Sequence, residues 1–124
     1  MLTFNLKKEW FDKIKSGEKT HEYREVKYYW SSRIVTELYK PKNKRERKGG
    51  IELLKMQFET FGKKEVAAKV CFMNGMETEE NRPRMYGTLK SIDIVDGMNT
   101  DLKIKGPVYD FEFELVGNNH AELP

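Results

Sequence analysis

The chain has 124 residues, 38% of them hydrophobic and 12% aromatic, which suits one domain with its own core and excludes a globally disordered chain. Its 23 basic and 20 acidic residues leave a net charge of +3, too small an excess for a dedicated non-specific nucleic-acid binder. One cysteine and two histidines exclude an internal disulfide and make a poor metal-ligand set, so neither a metal nor another cofactor is expected.

The first residues, MLTFNLKKEW, lack the charged-then-apolar order of a signal peptide. No apolar run approaches the ~20 residues of a membrane span. A cytoplasmic protein without a membrane partner is expected. Met1 to Leu6 alternates apolar and polar residues and predicts a first strand. Trp10, Phe11 and Ile14 then follow helical spacing between Lys7 and Ser16, with Asn5 as a candidate cap and Gly17 as the stop. Lys7 and Lys8 fall in the first turn, where the helix dipole disfavours cations. Thr20 to Val26 predicts a second strand, with Thr20, Glu22 and Arg24 on one face and His21 and Tyr23 on the other.

Trp30, Ile34 and Leu38 recur every four residues and predict a helix from Tyr28 to Tyr39, ended by Pro41. Lys40 to Gly50, KPKNKRERKGG, reads as a basic loop by composition. Ile51, Leu54, Phe58 and Phe61 predict a third, shorter helix, with Gly62 as its stop. From Glu65 the pattern turns to β. Strands are expected over Val66 to Met73, Tyr86 to Val95 and Val108 to Val116, with turns at Asn74-Gly75 and Asp96-Gly97. Met76 to Pro83 is a polar excursion, and Gly117 to Pro124 reads as an unstructured tail. Cys71 reads as a small buried hydrophobe in its strand.

Helices early and antiparallel-looking strands late predict an α+β fold. About five short strands with two to three helices suit a small curved sheet or partly closed β-barrel.

The segment Gly17-Glu18-Lys19-Thr20-His21-Glu22-Tyr23-Arg24 concentrates the chemistry. Positions two apart on one strand face lie about 6.5 Å apart, so Glu22 and Arg24 can touch, and Lys19 can reach the same carboxylate from the turn. One reading is a structural ion pair closing the mouth of the sheet. The other is a ligand site, in which Arg and Lys hold a phosphate or a base edge while the carboxylate orients them or accepts a proton. Tyr23, Tyr28, Trp30 and Tyr86 are candidate stacking surfaces for unpaired bases, although Trp30 also suits core packing. The basic run from Lys40 to Lys48 is either a solvated loop or a second contact to phosphates.

The same segment matches G-x-K-x-x-E-x-R, the motif of the ASCH domain family, and the chain resembles that family beyond it. Trp10, Phe11 and Ile14 resemble its first helix, and Tyr29, Trp30, Arg33 and Ile34 the start of its second. Phe72, Asn74, Gly75 and the Pro83–Met85 stretch resemble its central strand and the excursion after that strand. The resemblance implies a PUA-like β-barrel over residues 1–117, with a basic loop and extra helix inserted at about 40–64 and a tail at 118–124. It implies RNA or a modified nucleotide as ligand, in a basic cleft lined by Lys19, Glu22, Arg24, Arg33, Asn74 and Arg84. Some relatives remove the acetyl group from N4-acetylcytidine with a Lys, a Thr and a Glu, and others are described as ribonucleases. By that likeness Lys19 and Glu22 become candidate catalytic base and acid, but Glu22 stands where those amidohydrolases carry the Thr. A protein-interaction domain in transcription regulation is the third expectation, since the family takes its name from a transcription coactivator.

Overall fold

In a computed structural model of the chain, which describes residues 1–75 and 82–116, five strands form one mixed sheet curled into a half-barrel, with three helices. This is the small α+β barrel-like architecture expected from the sequence. The elements are β1 (Leu2–Leu6), α1 (Lys8–Lys15), β2 (His21–Glu25), α2 (Tyr28–Tyr39), α3 (Lys44–Phe61), β3 (Lys64–Asn74), β4 (Arg84–Asp96) and β5 (Pro107–Leu115), with a 3-10 turn over Gly97–Asn99. The expected tail and most of the polar excursion lie outside the described residues.

The strand order is β1-β3-β4-β5-β2. β1 runs parallel to β3, and the other pairs are antiparallel. The first two strands of the chain are therefore the two free edges of the sheet. Register shifts between Glu65 and Ala68 and between Leu89 and Ser91 add local twist, which helps bring those edges toward each other.

Period-two burial explains the strands. Leu2, Phe4 and Leu6 of β1, Val70 and Phe72 of β3, and Tyr109, Phe111 and Phe113 of β5 all point into one core. Phe11 and Ile14 of α1, Ile34 and Val35 of α2, and Leu54 and Phe58 of α3 cover it. Polar groups inside find partners: the buried hydroxyls of Ser31 and Tyr109 share a 2.6 Å hydrogen bond.

Two local expectations need correction. Asn5 is not the cap of α1; it lies in β1, and Lys7 occupies the cap position without a side-chain hydrogen bond. Residues 44–50 are not loop but the first two turns of an 18-residue α3. Asn43 caps that helix by accepting from the Glu46 amide at 2.9 Å, and the Glu46 carboxylate accepts from the Lys42 amide at 2.8 Å. The first bond satisfies an orphan amide of the helix and the second ties the residue before the cap to the first turn, which starts the helix despite its charge. Gly50 is buried against α2, where an added Cβ would come within 2.6 Å of Val35 Cγ1. Its missing side chain lets the two helices approach.

Cys71 is a free, buried thiol. Burial pushes its pKa up, partly offset by the nearby Arg84 cation. Since the thiolate is the reactive form, Cys71 should resist a disulfide reagent such as Ellman's in the native protein and react fully on unfolding. Rapid stoichiometric labelling of folded protein would contradict this placement.

Candidate functional site

The charged motif sits where α1 hands the chain to edge strand β2. Gly17 takes φ = 85°, a conformation that costs glycine little. It reverses the chain, and the Lys19 amide then donates to the Lys13 carbonyl at 3.0 Å. That bond pins the turn and aims Lys19 back over the mouth of the sheet.

Lys19, Glu22 and Arg24 form one network. Lys19 Nζ lies 3.3 Å from Glu22 Oε1 and pairs with Asp101. Arg24 donates to Glu22 Oε2 through both Nε (3.0 Å) and one terminal nitrogen (2.6 Å). The Glu22 side chain is 7% exposed and that of Lys19 10%, so this is not a solvated surface pair. The same terminal nitrogen of Arg24 also donates to the Asn5 carbonyl of β1 at 3.2 Å. One guanidinium thus bridges the two free edges of the half-barrel.

Aromatic rings complete the site. Lys19 Nζ lies over the rings of Trp10 (5.0 Å) and Tyr23 (5.2 Å). Arg24 lies over Phe4 (5.3 Å) and Trp30 (5.1 Å). Each cation therefore has both a carboxylate and π faces, an arrangement that stabilises a partly desolvated charge. The Tyr23 phenol is held above its ordinary pKa, first by burial and then by the surrounding charges of Asp110, Asp101 and Glu22. It remains a hydrogen-bond donor at neutral pH.

Around this network lies an open cleft of about 420 Å³, within the size range of small-ligand sites. Lys7, Lys19, Arg24 and Lys27 line it against Glu22, Glu25 and Asp101, with Trp10, Tyr23 and Trp30 as aromatic walls. The inner cations are already neutralised, so the floor is close to charge-balanced rather than strongly basic. A second hollow shares Trp10, Lys19, Tyr23 and Asp101 and extends past His21. There His21 Nδ1 contacts Asp110 Oδ1 at 2.7 Å, and the His21 and Tyr23 rings stack on the outer face of β2.

The six residues expected at the site are only partly gathered. Lys19, Glu22 and Arg24 come together as the spacing implied. Arg33, Asn74 and Arg84 do not line the cleft. Arg33 lies on α2 beside the Tyr29 ring (5.9 Å). Asn74 pairs across the sheet with Leu6, which does line it, and Arg84 Nε points toward the Met73 sulfur at 3.3 Å. Asp101 is the member that sequence reasoning missed. Its turn is anchored by buried Thr100, whose hydroxyl donates to the Gly97 carbonyl and accepts from the Leu102 amide. The Asp96-Gly97 turn was visible in the sequence, but nothing local linked it to Lys19, 82 positions before Asp101.

Among the described residues no group of three or more His, Cys, Asp or Glu side chains is arranged to hold a metal ion, and no helix is long and apolar enough to cross a membrane. Comparison with family models, with curated proteins and with solved structures gave no match.

Proposed function

We propose that the chain is an ASCH-type, PUA-like domain that binds RNA or a modified nucleotide in the cleft beside Lys19, Glu22 and Arg24. The observation that carries this reading is the aromatic-walled cleft around the neutralised network. Trp10, Tyr23 and Trp30 line the cleft, so a planar base entering it meets their rings beside the Lys19 and Arg24 cations that lie over them, and Tyr23 offers a donor. Glu22 and Asp101 keep lone pairs for base amino groups. Phosphate is met at the rim by Lys7, which is exposed and unpaired among the described residues.

Quenching of tryptophan fluorescence on titration with cytidine, cytidine monophosphate and a short single-stranded RNA tests this reading. Stacking on an aromatic side chain contributes about 1–3 kcal/mol per base, roughly 5- to 150-fold in affinity. Trp10→Ala should weaken binding within that range while circular dichroism shows a folded protein. A folded Trp10→Ala variant that binds like the wild type would remove the cleft from the reading.

One observation favours a second reading, hydrolysis of RNA or a modified nucleoside. Lys19 and Glu22 are in contact, shielded from solvent and open to the cleft, which is the proximity an acid–base pair needs. Incubation with N4-acetylcytidine and with a mixed RNA pool, each analysed for products, tests it. Turnover abolished by Lys19→Met supports it, and turnover indifferent to that change sinks it.

A further inference from the structure

The cations that the motif supplies to the cleft are neutralised by Glu22 and Asp101. A polyanionic ligand needs uncompensated positive charge elsewhere. Lys40, Lys42, Lys44, Arg45, Arg47 and Lys48 supply it, clustered where α2 ends and α3 begins. None of the six is ion-paired among the described residues, and what sets them apart from other unpaired lysines is their density, six cations within the nine positions from Lys40 to Lys48. All but Arg47 are exposed.

This arrangement is locally unfavourable. Lys44 and Arg45 occupy the first turn of α3, at the positive end of its dipole. Lys44 and Lys48 are four apart, and Arg45 and Lys48 three apart, so like charges face each other along the helix. Glu46 is the only acid in the first turn, and it is engaged with the Lys42 amide. The helix forms because its cap and its buried Gly50, Leu54 and Phe58 outweigh that repulsion. Unrelieved like charge, fixed on a rigid helix, is a surface suited to an anion.

A track joins this block to the cleft. α2 starts beside the cleft, where Trp30 forms a wall and Tyr29 packs edge-on against it at 5.3 Å. At helical spacing Tyr29, Arg33 and Thr36 share the outward face of α2, away from buried Ser31, Ile34 and Val35, and Lys40 follows as the left-handed cap at the end of the helix. Tyr29 to Lys40 spans about 16 Å at 1.5 Å per residue. Arg33 lies between them, already over the Tyr29 ring.

We infer that the block from Lys40 to Lys48 holds the phosphate backbone of a single-stranded RNA running along α2 from the cleft. The inference rests on the reading of the cleft as a nucleotide site and extends it from one nucleotide to a strand. A lipid surface fits less well. Amphipathic membrane helices set a broad apolar face beside their basic residues, whereas Ile51, Leu54 and Phe58 of α3 pack against the core and its exposed Leu53, Met56 and Phe61 lie further along the helix than the basic block.

The test uses the quadruple variant Lys42→Gln, Lys44→Gln, Arg45→Gln and Lys48→Gln, which keeps the Asn43–Glu46 cap. Binding is read by fluorescence anisotropy with a single-stranded RNA of about 12 nucleotides, within the span of single-strand sites. The variant should lose roughly 10- to 100-fold in affinity at low salt, and its slope of log K against log salt should become shallower by up to about 2.8, at about 0.7 per phosphate contact on a single strand. Cytidine monophosphate binding in the cleft should not change. Unchanged RNA affinity and salt slope would overturn the inference, as would wild-type protein that binds vesicles of anionic phospholipid but not the RNA. If the RNA binds through the basic block and Trp10→Ala has no effect, the phosphate contact of the block stands, while the cleft reading and the path of the strand from the cleft both fall.

Discussion

Glu22→Ala should destabilise the fold by about 3 kcal/mol, at the low end of the 3–5 kcal/mol measured when one partner of a buried charge pair is removed. Glu22 holds two cations, Lys19 at 3.3 Å and Arg24 through two hydrogen bonds. Removing it strands both beside apolar rings. Lys19 retains Asp101, and Arg24 retains the Asn5 carbonyl, so the loss stays near the lower bound. It is still a large share of the 5–15 kcal/mol that holds a domain folded. Urea unfolding of the single variants and of Glu22→Ala with Lys19→Met separates the contributions. The double variant should cost less than the sum of the singles, because the second change removes one of the charges the first leaves unpaired. A loss under about 1 kcal/mol would mean that the network behaves as an exposed pair.

That expectation joins the two readings that residue types left open. The cluster closes the mouth of the sheet, because Arg24 ties β2 to β1. It also floors the cleft. The same side chains do both, so a substitution chosen to test binding at Glu22 also tests folding. Changes at Trp10 or in the basic block separate the two questions better.

Legibility in the sequence tracks the range of each interaction. Trp30, Ile34 and Leu38, with Pro41 beyond them, marked α2 to the residue. The Lys19–Glu22–Arg24 contacts are local in the chain and follow from strand alternation and the turn before it. The first turns of α3 were obscured, since Lys40 to Gly50 carries six cations and two glycines and no apolar period. A cap signal was nonetheless present, with Asn43 three residues before Glu46. Gly50 closed the expected loop and instead sits inside α3, where it permits close packing on Val35. The Lys19–Asp101 pair and the Arg24–Asn5 bond depend on how the sheet curls. No pattern within either segment announces them.

The curl also decides where a core change is felt, and Phe4→Ala should have the largest effect, about 4 kcal/mol within the 3–5 kcal/mol typical of buried Phe→Ala. Phe4 is fully buried in edge strand β1. Its ring stacks on Trp30 at 5.0 Å and Phe72 at 5.6 Å, and meets Phe111 edge-on at 5.0 Å. The Arg24 guanidinium lies 5.3 Å from its centroid. Truncation therefore opens a cavity directly beneath the cleft and removes the backing of Trp30 and Arg24 together. Phe4→Leu refills much of the volume without a ring face and should recover most of the stability. If Trp30 and Arg24 depend on that ring for their positions, Phe4→Leu should still bind cytidine monophosphate more weakly than the wild type. Urea midpoints and nucleotide titrations on both variants read the two effects separately. A Phe4→Ala cost near 1 kcal/mol, well below the usual range for a buried Phe, would show that the ring is not the keystone of the core, and wild-type binding by Phe4→Leu would uncouple the core from the cleft.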